Sequence, residues 1–131
     1  MSSNSLRSPL GKVKGLGSAK SGTHHFMVQR LTALALIPLT LWFCFSLAAM
    51  PTMDYVTFTT WLQSPVSASL MILTVLMTFY HAYLGLQVVI EDYVSDHGLR
   101  LASIIGVQFL CGLLAVIGTV SVIKVLIGGA A

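Results

Sequence analysis

Residues 66–90 read VSASLMILTVLMTFYHAYLGLQVVI, an apolar run that contains no Asp, Glu, Lys or Arg. An α-helix needs about 20 such residues to cross the hydrocarbon core of a bilayer. Strands are excluded in that setting, because an open sheet would leave backbone amides unpaired in lipid. The run therefore predicts a transmembrane helix.

Two further apolar runs, at residues 31–50 and 101–127, are also long enough to cross the membrane. The chain as a whole is 56% hydrophobic and 8% charged, whereas a soluble domain carries roughly 25% charged residues. We therefore predict an all-α fold, an integral membrane three-helix bundle formed by residues 24–131.

A short segment separates the first two apolar runs. In it Tyr55, Phe58 and Trp61 recur at helical spacing, and aromatic side chains are enriched at membrane–water interfaces. We expect a short interfacial segment between helices 1 and 2. The polar turn at residues 91–100 is short, so helices 2 and 3 are predicted to be antiparallel neighbours.

The N-terminal segment, residues 1–23, is rich in Gly, Ser and Lys and has no hydrophobic period, which is typical of a flexible arm. Most of the basic residues precede the first apolar run, and no acidic residue accompanies them. By the positive-inside rule, this basic arm lies on the cytoplasmic or matrix side. Because no aromatic residues are interleaved with its cations, we expect membrane lipid and no nucleic acid as its partner.

The cellular location follows from the same arm. Its basic, acid-free composition resembles that of a mitochondrial transit peptide. Because the sequence begins at Met1 with the arm in place, we expect a protein of the bacterial inner (cytoplasmic) membrane with a cytoplasmic N-terminus. The mitochondrial inner membrane is the alternative.

One ionisable side chain lies deep inside a predicted span, and it is His81. The helix that separates it from the end of its run is roughly 14 Å long, which places it close to the middle of a core about 30 Å thick. An imidazole at that depth is either bound to a metal or hydrogen-bonded to a neighbouring helix. Imidazole is a common axial ligand of haem iron, and Gly85, one turn away, would leave room for a flat macrocycle.

The remaining histidines, His24, His25 and His97, are predicted to lie at the membrane surface. A haem with two histidine ligands would therefore need its second ligand from another polypeptide. Near the same surface the second helix ends in Asp92-Tyr93, where a tyrosine hydroxyl beside a carboxylate can donate a hydrogen bond to a quinone. Both residues also fit an ordinary membrane interface.

The third helix carries on one face a stripe of small or polar residues, which are Gln108, Gly112, Ala115 and Thr119. In lipid, such a stripe allows another helix to approach closely, either within this bundle or from a partner chain. The two cysteines, Cys44 and Cys111, lie in apolar runs and form no CxxC pair, so we expect small buried residues and no disulfide.

Two stretches carry a resemblance to a known family. Residues 81–94, HAYLGLQVVIEDYV, closely resemble the second helix of the D-type membrane anchor of succinate dehydrogenase, with His-Ala, a glycine four residues after the histidine, and Asp-Tyr-Val at the helix end. Residues 24–36, HHFMVQRLTALAL, match that family's His-x-Phe-x-x-x-Arg-x-Thr-Ala pattern at the start of helix 1. With three spans of similar length, the resemblance covers residues 24–127.

The resemblance implies a role for each matching residue. His81 would be an axial ligand of the iron of haem b. Tyr93 would donate a hydrogen bond to ubiquinone, and Asp92 would be its supporting carboxylate. Arg30 would lie close to a haem propionate or the quinone pocket, although it also fits a basic residue flanking the membrane. His24 falls at the family's histidine position, beside a haem propionate or the quinone pocket.

The resemblance also implies partners. In this family a flavoprotein subunit oxidises succinate, and electrons pass through an iron–sulfur subunit to quinone, which links the tricarboxylic acid cycle to the respiratory chain. This sequence has no GxGxxG motif and no cysteine cluster, so FAD and the iron–sulfur clusters would be on those partner subunits. A C-type cytochrome b anchor subunit would share the haem. This chain would then be a non-flavin subunit of complex II without independent catalytic activity.

Two alternatives remain open at this point. The direction of turnover cannot be read from an anchor helix, so the chain would also suit a fumarate reductase. The second alternative is a small structural or assembly membrane protein without haem, in which His81 bonds to a neighbouring helix.

Overall fold

The computed structural model describes residue 10 and residues 22–128. Residues 22–128 contain four α-helices and no strand. In chain order the helices are α1 (Gly22–Ala48), α2 (Tyr55–Leu62), α3 (Pro65–Tyr93) and α4 (His97–Leu126). Three of them, α1, α3 and α4, have the length and apolar composition to cross a membrane. The predicted all-α architecture is confirmed, including a short helix between the first two spans.

The long helices extend beyond the apolar runs that predicted them. α1 begins at Gly22, well before the first apolar run, and its 27 residues span about 40 Å. Since the hydrocarbon core is about 30 Å thick, its polar first turns reach the headgroup region. Gly22 and Thr23, which we had assigned to the basic arm, are therefore helical. Apart from Leu10, the rest of the arm lies outside the described residues.

Polar residues at the helix ends explain where α2, α3 and α4 start. Asp54 caps α2 by accepting a hydrogen bond of 2.9 Å from the backbone N–H of Thr57, and Asp96 caps α4 in the same way with Leu99 at 2.7 Å. α3 starts with Pro65, a residue suited to the first helical position. The hydrogen bonds from the side chain and backbone of Thr57 lower the pKa of Asp54.

The three long helices form a row with α3 in the middle. α3 packs extensively against α4 and less extensively against α1, and within residues 22–128 no Cα atom of α1 lies within 8 Å of one in α4. The predicted antiparallel pairing of the second and third spans is present, since only a short turn joins α3 to α4. A row has two open faces, so most of its large apolar side chains are exposed. That surface is suited to lipid or to another membrane helix.

α3 and α4 pack tightly at Gly118, beside the predicted stripe of small and polar residues. A Cβ atom on Gly118 would be 2.8 Å from Cγ1 of Val75, whereas one on Gly112, within the stripe, would meet nothing within 4 Å. The stripe therefore remains open over much of its length.

The two cysteines differ in burial. Cys111 is buried as expected, but Cys44 is exposed on the surface of α1; both are free thiols.

The end of the molecule that contains α2 is filled by the chain's own side chains. The buried residues Leu62, Ala68 and Val122 meet there, at 4%, 0% and 6% exposure. Trp61 stacks on Trp42 with ring centroids 5.5 Å apart, and Phe58 also packs on it at 5.5 Å. We call this the α2 end, and the opposite end, where α1 begins and α3 ends, the polar end.

Candidate functional site

His81 lies on the side of α3 that faces α1. Its Nδ1 is 2.9 Å from Oγ1 of Thr32, and Thr32 is buried, with 5% of its surface exposed. The two residues are 49 positions apart in the sequence, and the packing of α1 against α3 brings them together. One ring nitrogen of this mid-membrane histidine is therefore hydrogen-bonded to a neighbouring helix.

The other ring nitrogen, Nε2, makes no hydrogen bond to the described residues. Among residues 22–128, the buried side-chain nitrogen or oxygen atom without a hydrogen-bond partner is Nε2 of His25. Nε2 of His81 also has no partner but is not buried in this way, so it is not enclosed by the chain. His81 lines an open groove of about 420 Å³ whose other lining residues come from α1. These are Ala33, Leu36, Ile37, Thr40 and Leu41. The groove thus presents one accessible nitrogen in an apolar wall.

That donor set suits a metal ion carried by an apolar macrocycle. Within the described part of the chain, no group of three or more His, Cys, Asp and Glu side chains is placed to hold a bare metal ion. A single neutral imidazole nitrogen in an apolar groove is the type of ligand that haem iron takes. The residues present therefore fit a haem, to which His81 would contribute one axial ligand and α1 one apolar wall.

Arg30 lies at the polar end of this groove. It is exposed, and its guanidinium carbon is 4.8 Å from the centre of the Phe26 ring, a cation–π contact. Arg30 precedes Ala33 by three positions and Ile37 by seven, so all three lie on one face of α1. A guanidinium in that place can pair with an anionic group that extends from the groove toward water.

The two adjacent histidines at the start of α1 have different surroundings. His24 is exposed, whereas His25 is partly buried and its Nε2 is enclosed without a hydrogen-bond partner among the described residues. His25, Gln29 and Thr32 follow each other at spacings of four and three, so they share the face of α1 that packs on α3. His24, the histidine that we matched to the family pattern, points away from that face.

Gly85, beside which we expect space for a macrocycle, faces Gln29 of α1. A Cβ atom at Gly85 would lie 3.9 Å from Nε2 of Gln29, which is an ordinary van der Waals distance. Our sequence interpretation missed the contacts of Gln29 and Thr32 with α3. The helical spacing of His25, Gln29 and Thr32 in an otherwise apolar helix is the signal that could have revealed them.

Asp92 and Tyr93 form the last turn of α3, at the polar end. Both are exposed, Tyr93 with 84% of its surface accessible, and neither side chain hydrogen-bonds to another described residue. Asp92 follows His81 by three helical turns, or about 16 Å. Because α1 and α3 are antiparallel, Asp92 and Tyr93 lie at the same end of the molecule as Arg30, the polar end.

Comparison with known proteins identifies the family. Residues 4–115 match the family described as Succinate dehydrogenase/Fumarate reductase transmembrane subunit. A succinate dehydrogenase hydrophobic membrane anchor subunit from Rickettsia bellii is 41% identical over 104 residues, which cover 79% of this chain and 82% of that protein. The corresponding subunit from Rickettsia conorii is 38% identical over 107 residues, or 81% of this chain and 85% of that protein. The chain therefore belongs to the family of succinate dehydrogenase and fumarate reductase transmembrane subunits, among the hydrophobic membrane anchors.

Proposed function

We propose that this chain is the membrane anchor subunit of a bacterial succinate dehydrogenase, and that His81 supplies an axial ligand of haem b. The observation that carries the proposal is the environment of that imidazole. It is deep in a span, one nitrogen is bonded to Thr32, and the other is accessible in an apolar groove. In a structural or assembly protein, His81 would need only the hydrogen bond of its Nδ1. The accessible Nε2 therefore favours the role of a haem ligand.

The haem would accept and pass on single electrons, and the residues of this chain would bind and orient it. Nε2 of His81 would coordinate the iron, while Ala33 and Ile37 would contact the ring in the groove. Arg30, exposed at the end of the same helix face, would pair with a propionate. His24, which is exposed in the first turn of α1, would be a further residue beside a propionate or the quinone pocket.

The shape of the groove supports a partner anchor. The row of helices covers a haem on one side only, and the described histidines other than His81 lie in the first turns of α1 and α4. We therefore infer a C-type cytochrome b anchor subunit that supplies the other wall and the second axial ligand. Its helices would pack on the open face of the row, where large apolar side chains are exposed.

The quinone-reduction site would be at the polar end. Tyr93 has an exposed hydroxyl without a partner among the described residues, so it is free to donate a hydrogen bond to a ubiquinone carbonyl. Asp92 would support it as a neighbouring carboxylate. The iron–sulfur subunit would dock on this end and deliver electrons, with FAD on the flavoprotein subunit beyond it. The membrane would be the inner membrane, with the polar end and the N-terminus on the cytoplasmic side.

The test of the haem proposal is His81→Ala in the assembled complex. Loss of the imidazole should abolish or strongly perturb the low-spin haem b spectrum, measured together with haem content as the pyridine haemochrome. His97→Ala, which removes an exposed histidine from the first turn of α4, is the matched control and should leave the spectrum unchanged. A normal low-spin spectrum at full haem content in His81→Ala would refute the ligand assignment.

A further inference from the structure

The hydroxyl of Thr32 takes part in two hydrogen bonds at once. Oγ1 is 2.9 Å from the backbone carbonyl oxygen of Gln29 and 2.9 Å from Nδ1 of His81. A hydroxyl has a single proton to donate, and a carbonyl oxygen can only accept. Both hydrogen bonds form together only when Thr32 donates to Gln29 and Nδ1–H of His81 donates to Thr32.

We infer that Thr32 is a positioning residue that holds His81 as the Nδ1–H tautomer and directs its Nε2 lone pair into the groove. The inference rests on the proposed function, in which Nε2 binds haem iron. Metal-binding histidines almost always donate their other N–H to a fixed acceptor, which orients the ring and raises the basicity of the ligand. Thr32 is that acceptor here.

The surroundings of Thr32 make it a rigid acceptor. The residue is 5% exposed, so the bond is shielded from water. Its β-branched side chain has few rotamers in a helix, and the bond to Gln29 fixes the one it adopts. No other described side chain bonds to Nδ1 of His81. Without Thr32 the N–H would be unpaired in an apolar environment, and the imidazole ring could rotate.

Thr32→Val tests the inference in the assembled complex, because it keeps the shape of the side chain and removes the acceptor. We expect haem to dissociate about 10- to 100-fold more readily, measured as transfer to a haem-scavenging globin. The midpoint potential of the haem should rise, since a less basic imidazole stabilises the ferric state less. The low-spin ferric EPR signal should also shift or broaden as the ring loses its fixed orientation.

Two variants control the experiment. Thr32→Ser restores a hydroxyl and should restore the potential, the EPR signal and the slow haem loss. Thr119→Val removes a hydroxyl that likewise donates to a backbone carbonyl of its own helix, that of Ala115, but it lies on α4 outside the groove and has no bond to His81, so it should behave as wild type. If Thr32→Val does not assemble, Thr32→Ala removes the acceptor without adding bulk, and the same three measurements decide.

The outcomes separate this inference from the proposed function. If His81→Ala loses the low-spin haem while Thr32→Val has the wild-type potential, EPR signal and haem loss, the role of Thr32 is refuted and the ligand assignment stands. If His81→Ala keeps its low-spin haem, both are refuted. Haem binding that weakens in Thr32→Val and recovers in Thr32→Ser supports both the ligand assignment of His81 and the positioning role of Thr32.

Discussion

The α2 end is packed by the chain's own side chains, whereas the polar end carries polar groups without partners among the described residues. At the α2 end, Leu62 and Ala68 are buried, and Trp61 is in contact with a second tryptophan. At the polar end, Nε2 of His25 is enclosed without a hydrogen bond, and Tyr93 is exposed. An unpaired buried polar atom costs about 1–3 kcal/mol. We infer that the α2 end has a core of its own, whereas the exposed polar side chains of the polar end are available to other subunits.

This difference predicts how each end responds to substitution. Changes near the α2 end should alter the stability of the chain and leave electron transfer intact. Changes at the polar end should alter quinone chemistry and leave the stability intact. Exposed residues of the same type at the opposite end supply the matched controls.

The largest effect is expected for Gly118→Ala on α4. The new methyl group would lie 2.8 Å from Cγ1 of Val75, and a valine in a helix has essentially one rotamer, so it cannot move aside. Overpacking of this kind destabilises a protein by about 1–3 kcal/mol. The thermal unfolding midpoint of the detergent-solubilised complex should therefore fall.

Gly106→Ala is the control for that experiment. It lies on the same helix, nearer the polar end, and a Cβ atom there would meet nothing within 4 Å. Since alanine favours a helix over glycine by about 1 kcal/mol, this variant should be neutral or slightly more stable. Equal losses in the two variants would contradict the close packing of α3 and α4 at Gly118.

A smaller effect, on activity, is expected for Tyr93→Phe. The substitution removes a hydroxyl and keeps the ring, and one hydrogen bond contributes about 0.5–1.5 kcal/mol net. Quinone reductase activity should fall several-fold, whereas succinate oxidation with an artificial electron acceptor should be retained. Tyr55→Phe, an exposed tyrosine at the α2 end, should change neither activity. Equal loss of both activities in Tyr93→Phe would indicate failed assembly and not a quinone contact.

The smallest effect concerns pH and Asp54. Hydrogen bonds from Thr57 hold the pKa of this carboxyl below its ordinary value of 3.8, so the folded state favours the ionised form. The resulting stabilisation is complete above the unfolded pKa and is lost as the pH falls through the lower folded pKa. Asp54→Asn keeps a cap but removes the titration. Unfolding midpoints measured across acidic pH should therefore fall less steeply in the variant, and identical slopes would exclude this contribution.

The sequence by itself determined the membrane class, the three spans and the depth of His81. Hydrophobicity and length are local properties of a segment in its solvent, so a run such as residues 66–90 predicts a spanning helix whatever the rest of the chain does. The short polar turn before His97 likewise predicted that α3 and α4 are antiparallel neighbours, and the structure has them so.

Only the tertiary structure decided which side chains meet. Apart from the polar positions His25, Gln29 and Thr32, α1 is apolar on nearly all sides. Its pattern therefore indicates a candidate contact face, but not which helix packs on that face, nor the exact rotation of α1 or its shift along α3. Those two quantities bring Thr32 to His81, across 49 positions of sequence, and turn His25 toward α3 in place of His24. The packing of α4 on α3 likewise leaves no room for a side chain at Gly118. Rotation and shift result from the packing of side chains on two separate helices, so neither helix's own sequence fixes them.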